Sequence, residues 1–108
     1  MTYIFEEIVG LSRLIHEPAR LAIMTALSVC ESADFLYLQR LTGLSKGNLS
    51  GHISKLEEAG LLSVKKEFIG KNPNTHVSIS DLGHSAIEQH WQKLAELRHT
   101  TKTWRPIE

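Results

Sequence analysis

Gly43-Leu44-Ser45-Lys46-Gly47-Asn48-Leu49-Ser50-Gly51-His52-Ile53-Ser54-Lys55-Leu56-Glu57-Glu58-Ala59-Gly60-Leu61-Leu62 decides the fold of this chain. Leu49, Ile53 and Leu56 fall at i, i+4 and i+7, one narrow apolar stripe of a helix, while Gly47, Gly51, Ser54 and Glu58 fall on the opposite side. Ser45 is placed to cap that helix by accepting a backbone N–H from Gly47 or Asn48, and Gly60 is placed to end it. The spacing predicts a helix over about 45–59. Two glycines so close together each cost a helix interior about 1 kcal/mol relative to alanine, so helix stability does not select them. A helix side kept slim and polar at that cost suits a nucleic-acid groove.

Upstream, Ile4, Ile8, Leu11 and Ile15 repeat with helical spacing, widened by Phe5 and Val9, and predict one amphipathic helix from about Thr2 to Ile15. Pro18 opens a second helix that carries Ile23, Leu27 and Cys30 on one edge and ends near Glu31. Ser32 or Asp34 caps a short third helix, with Phe35, Leu38 and Leu41 turned inward, and Thr42-Gly43-Leu44 makes the turn into the glycine-thinned helix.

Downstream, Leu62, Val64 and Phe68 alternate with polar residues, broken at Lys66, and mark a strand. Val77 and Ile79 mark its antiparallel partner, and Gly70-Lys71-Asn72-Pro73-Asn74 supplies the hairpin loop. Ser80 or Asp81 caps a last helix with Ile87, Trp91 and Leu94 along one side to about Arg98. Thr100 to Thr103 is expected to fray, with Trp104 as an anchor. Two helices joined by a glycine turn and followed by a two-stranded ribbon describe a winged helix-turn-helix, mainly α with a small β-hairpin.

The 108 residues suit one domain, divided into an N-terminal dimerisation helix (1–15), a winged-helix core (16–80), a C-terminal helix (81–99) and a tail (100–108). With 42% hydrophobic and 22% charged residues the composition is that of a soluble globular protein. Cys30 has no partner in the sequence, so neither an internal disulfide nor a Cys-rich zinc site is available, and a reducing, cytoplasmic setting is expected. No apolar run or signal-peptide pattern points to a membrane. A domain of this size has a modest core, and any long apolar helix left uncovered by it favours a dimer.

Net charge is zero, yet its distribution is uneven. Arg13 and Arg20 are outnumbered by Glu6, Glu7, Glu17, Glu31 and Asp34 in the first third. Arg40, Lys46, Lys55, Lys65, Lys66 and Lys71 outnumber Glu57, Glu58 and Glu67 in the middle. Basic charge gathers where the unusual helix lies.

Phe35-Leu36-Tyr37-Leu38, Thr42-Gly43-Leu44-Ser45, Gly47 to His52 and Lys55 to Gly60 resemble the winged-helix DNA-binding domain of MarR/ArsR-like prokaryotic transcriptional regulators. The likeness covers roughly His16 to Leu94, including the Gly70-Lys71 wing and Ser80-Asp81-Leu82-Gly83. It implies a homodimeric regulator, with repression the expected sense of control, whose helix from Ser45 enters the major groove of double-stranded DNA. The hairpin over 62–79 is implied to reach backbone or minor groove. Wings of such regulators often present arginine, whereas this tip offers Lys71 with Asn72 and Asn74; lysine suits phosphate contact better than forked base recognition.

On this reading Ser45, Lys46, Gly47, Asn48, Ser50, Gly51, His52, Ser54 and Lys55 form the DNA-facing helix surface, and Lys65, Lys66, Lys71 and Asn72 the wing contacts. Lys46 opposes the helix dipole in the first turn, which argues for a purpose other than helix stability. Gly47 has two readings, groove approach and packing on the preceding helix, and His52 is read equally as a structural histidine or a DNA contact. Ile4, Phe5, Ile8 and Leu11 with Ile87, Trp91 and Leu94 are the expected dimer surface.

His84, His90 and His99 read as surface residues; His84 and His90 are spaced unlike i, i+4 metal ligands, so no metal and no cofactor is expected. A small-molecule effector could occupy a cleft between the end helices and the core, but no residue names it. No nucleophile motif or phosphate loop supports an enzyme. The alternative is a winged-helix protein-interaction module without DNA binding, motivated by zero net charge and the modest wing.

Overall fold

Local capping divides the opening segment in a computed structural model that describes residues 3–106. Instead of one helix there are two, α1 (Ile4–Val9) and α2 (Arg13–His16); the expected start at Thr2 lies outside the described residues. Gly10 closes α1 through its backbone N–H to Glu6, and the Ser12 hydroxyl accepts the N–H of Ile15 to begin α2. A poor helix former followed by a good cap outweighs the apolar periodicity that runs across both.

Glu17 separates α2 from α3 (Pro18–Cys30), its carboxylate accepting the N–H groups of Ala19 and Arg20 while Pro18 fills the first helical position. A short strand follows, β1 (Ser32–Asp34), where the sequence suggested only a cap. Three residues carry no period-two signal of their own; β1 exists because β3 lies beside it. Asp34 then caps α4 (Phe35–Thr42) through the N–H of Tyr37, and Gly43, at φ 70, turns the chain into α5 (Lys46–Glu58).

β2 (Leu62–Ile69) and β3 (Asn72–Ile79) form the wing, and β1 adds to the far edge of β3, giving the antiparallel order β1-β3-β2. The hairpin turn is Gly70-Lys71 alone, because Ile69 pairs with Asn72 and Phe68 with Pro73. Asn72 to Asn74 therefore extend the strand rather than the loop. Positive φ at Gly70 supplies what a two-residue turn needs at its first position.

Ser80 caps α6 (Asp81–Lys102), which continues past Arg98 through residues expected to fray. Gly83 is indispensable at the start of α6: a Cβ there would strike the carbonyl of Leu61. That close approach seats α6 on the strand-helix junction and buries Ile87 completely. Ile23, Met24 and Leu27 of α3, Leu38 of α4, and Leu49, Ile53 and Leu56 of α5 complete the core with Val77. The apolar stripe of α5 is thus its mounting, and truncating Leu49 or Leu56 to alanine should cost about 2–5 kcal/mol.

Candidate nucleic-acid interface

The cap on α5 is formed by the Ser45 hydroxyl, which accepts the Asn48 N–H at 3.2 Å. With the stripe buried, Lys46, Gly47, Asn48, Ser50, Gly51, Ser54 and Lys55 are exposed. A Cβ built at Gly47 or Gly51 meets nothing within 4 Å. Neither glycine serves packing within the chain, which removes the second reading of Gly47.

His52 is half-buried at the edge of this surface. Its Nδ1 lies 3.1 Å from Arg20 Nη1 and 3.6 Å from Glu17 Oε2. Arginine only donates, so Nδ1 accepts and the imidazole proton resides on Nε2. Arg20 also donates from Nε to the Leu14 carbonyl at 2.6 Å and from Nη2 to that of Arg13 at 3.3 Å. One guanidinium thereby joins α2, α3 and α5. Burial pushes the Glu17 carboxyl up, but the N–H groups of Arg20 and Ala19, with the charge of Arg20 beside them, outweigh it and hold it below the ordinary carboxylate range. Arg20 and Glu17 carry no sequence period that distinguishes them, and their role emerges only from the meeting of α3 with α5.

Strand alternation separates the wing lysines. Lys66 pairs across to Thr75 and shares with Val64 the side that meets α5; together with Lys46, Ser50, Ser54 and Glu57 they line a cleft of about 210 Å³ between helix and wing. Lys65 points to the other side, where its Nζ lies 3.5 Å from Glu67 Oε2. Lys71 stands at the turn, and Asn72 is held in the ladder opposite Ile69. The structure therefore assembles Lys46, Ser50, Ser54 and Lys66 into one surface and leaves Lys65 outside it. Thr75, absent from the sequence reading, joins through its register with Lys66.

At the opposite end, α1 packs on α6, tied by Lys93 Nζ donating to Glu7 Oε1 at 2.7 Å; this hydrogen bond, against some desolvation, raises the Lys93 pKa. Phe5 meets Trp104 edge-on, ring centroids 5.2 Å apart. Phe5, Ile8, Val9, Trp91 and Trp104 remain exposed, and Leu94 is half-buried. Ile4 and Ile87 are buried in the chain's own interior, so these two offer no surface to a second copy, contrary to expectation. Trp91 keeps an exposed face but spends its indole N–H on Thr25 Oγ1 at 3.0 Å. Leu11 and Ile8 border a cleft with His16, Leu94, Leu97, Arg98 and Thr101.

His90, expected at the surface, is buried, with Nε2 3.0 Å from Nδ1 of His16. Desolvation, then the charge of His16, lowers its pKa. Among the described residues no group of three or more His, Cys, Asp or Glu is placed to hold a metal ion, and no helix is long and apolar enough to cross a membrane.

Residues 19–98 match the winged helix DNA-binding domain family. The chain belongs to that family. A transcriptional regulator homologue from Pyrococcus horikoshii OT3 is 31% identical and superposes with a TM-score of 0.83, over 93% of this chain and 98% of that one. An uncharacterized protein of Methanocaldococcus jannaschii is 29% identical over 85 residues, 79% of this winged-helix chain and 92% of the relative. A MarR-family regulator from Enterococcus faecalis V583, 18% identical, shares the fold with a TM-score of 0.67 over 94% and 90% of the two chains.

Proposed function

We propose that this winged-helix protein is a homodimeric, sequence-specific DNA-binding transcriptional regulator, acting as a repressor. The observation that carries the reading is the uncovered outer side of α5: two glycines open to solvent, flanked by Lys46, Asn48, Ser50 and Ser54, with Lys66 across the cleft. An unobstructed helix of this kind fits the major groove. Asn48 and Ser50 have the donors and acceptors to read base edges, while Lys46 and Lys66 suit phosphates. Relatedness to a transcriptional regulator homologue supports the same reading.

Dimerisation rests on Phe5, Ile8, Val9 and Trp104, an apolar group left exposed at the α1–α6 end. Light scattering on the purified protein should give twice the chain mass. Selection of bound sequences from random double-stranded DNA should enrich one motif, with binding that weakens as salt rises. Recovery of no motif, together with a protein partner that protects α5, would instead favour the protein-interaction module.

A further inference from the structure

The wing ends in an apolar pair that the fold does not use. Phe68 is 75% exposed, and Pro73, directly opposite it in the register, is exposed too. Scattered apolar residues on a surface are ordinary. This pair differs in position: residues two apart share one side of a strand, so Phe68 follows Val64 and Lys66, and Pro73 follows Val77 and Thr75, on the side that receives α5.

We propose that Phe68 and Pro73 form an apolar tip that packs against the deoxyribose walls of the DNA minor groove. This rests on the reading of α5 as a major-groove helix. The cleft between α5 and the wing, with Lys46 on one wall and Lys66 on the other, takes a DNA backbone strand. With α5 in the major groove on one side of that strand, the groove on its other side is the minor groove. Phe68 stands two strand residues beyond Lys66, about 7 Å further out, the distance needed to pass one backbone and enter a groove about 6 Å wide.

Charge agrees with this occupant. Lys66 and Lys71 flank the tip, and the neighbouring acid, Glu67, faces the other side of the hairpin beside Lys65. Glu57 lies in the cleft on the α5 side, away from the tip. The side chains of Phe68 and Pro73 cannot hydrogen-bond, and Pro73 has no N–H, so they contact sugar and groove walls rather than bases. The wing then contributes affinity through apolar burial and through groove width, in place of a charged reader.

The test measures affinity of wild type, Phe68→Ala, Pro73→Ser and Lys66→Ala for the selected DNA across a salt series, with hydroxyl-radical footprints. Phe68→Ala should bind roughly tenfold more weakly with the salt slope unchanged, and lose protection of minor-groove sugars beside the α5 site. Pro73→Ser should do the same more mildly, while Lys66→Ala should lower the slope by about one. Both wing-tip variants keep the core and should melt as wild type does. If wild type binds DNA and Phe68→Ala binds equally with the same footprint, the minor-groove tip is wrong and the regulator stands. Loss of the dimer in Phe68→Ala assigns the tip to a second copy and also overturns the proposal. If wild type selects no DNA, the regulator reading itself fails.

Discussion

Arg20 Nη1 lies 3.1 Å from His52 Nδ1, so the first turn of α3 holds the edge of the proposed reading helix. The same guanidinium donates to two carbonyls at the α2 segment, and its side chain is largely buried. Removing it leaves those acceptors short of a charged donor. Arg20→Ala should therefore destabilise the protein by about 1.5–3 kcal/mol, measured by urea unfolding, and Arg20→Lys should restore only part because one ammonium cannot span three acceptors. His52→Ala should cost less. A double-mutant cycle between the two should return a coupling of about 0.5–1.5 kcal/mol; strict additivity would show that the 3.1 Å approach contributes nothing.

Lys46 gives opposite signs in two measurements. It occupies the first turn of α5, where the helix dipole disfavours a cation, so Lys46→Gln should leave thermal stability unchanged or raise it by up to about 1 kcal/mol. DNA affinity should fall all the same, and the slope of log affinity against log salt should shrink by about one if Lys46 holds a phosphate. An unchanged slope would remove Lys46 from the backbone contact.

Gly51 separates folding from binding in the same way. Its surroundings are open and it lies mid-helix, so Gly51→Ala should stabilise by about 0.5–1 kcal/mol. A bulkier Gly51→Leu fits the free protein equally well, yet should abolish operator binding if this side of α5 lies against base pairs. Retained affinity in Gly51→Leu would place the DNA elsewhere.

The helix-turn-helix and wing were legible because their signals are local and redundant: a capping serine, a three-residue apolar stripe, a glycine after the end of each of α4 and α5, and an alternating strand. The turn glycine Gly43 and the cap Ser45 sit where the sequence puts them. What escaped depends on partners distant in sequence. β1 is a strand only by pairing with β3, whose partner residues lie 42 to 46 positions further along the chain. The need for glycine at position 83 comes from the Leu61 carbonyl beneath it, and no propensity scale registers that contact. Lys65 and Lys66 look equivalent as neighbours, but the pleat assigns one to the cleft and the other to Glu67. The unbroken N-terminal helix was a misreading of another kind: periodicity persists through Gly10 and Ser12, where backbone preference does not.

His90 makes the fold sensitive to acid. Its imidazole is buried on α6 and, among the described residues, meets only the His16 ring of α2 at hydrogen-bonding distance, so a proton added there loses hydration and faces a second imidazole. Desolvation first, and then repulsion by His16, lower its pKa in the folded chain. The unfolded chain keeps the ordinary value near 6.5 and takes up protons before the folded one does. Linkage then fixes the sign: the contribution is complete above about pH 6.5 and is lost as pH falls from there through the lowered folded value. Melting temperature should consequently drop on going from pH 7.5 to 5.5. The informative quantity is the difference from a non-titrating variant. His90→Gln should be less stable than wild type at pH 7.5 and should lose less on acidification, bringing the two curves together. Parallel curves would mean that His90 is not the group that takes up the proton.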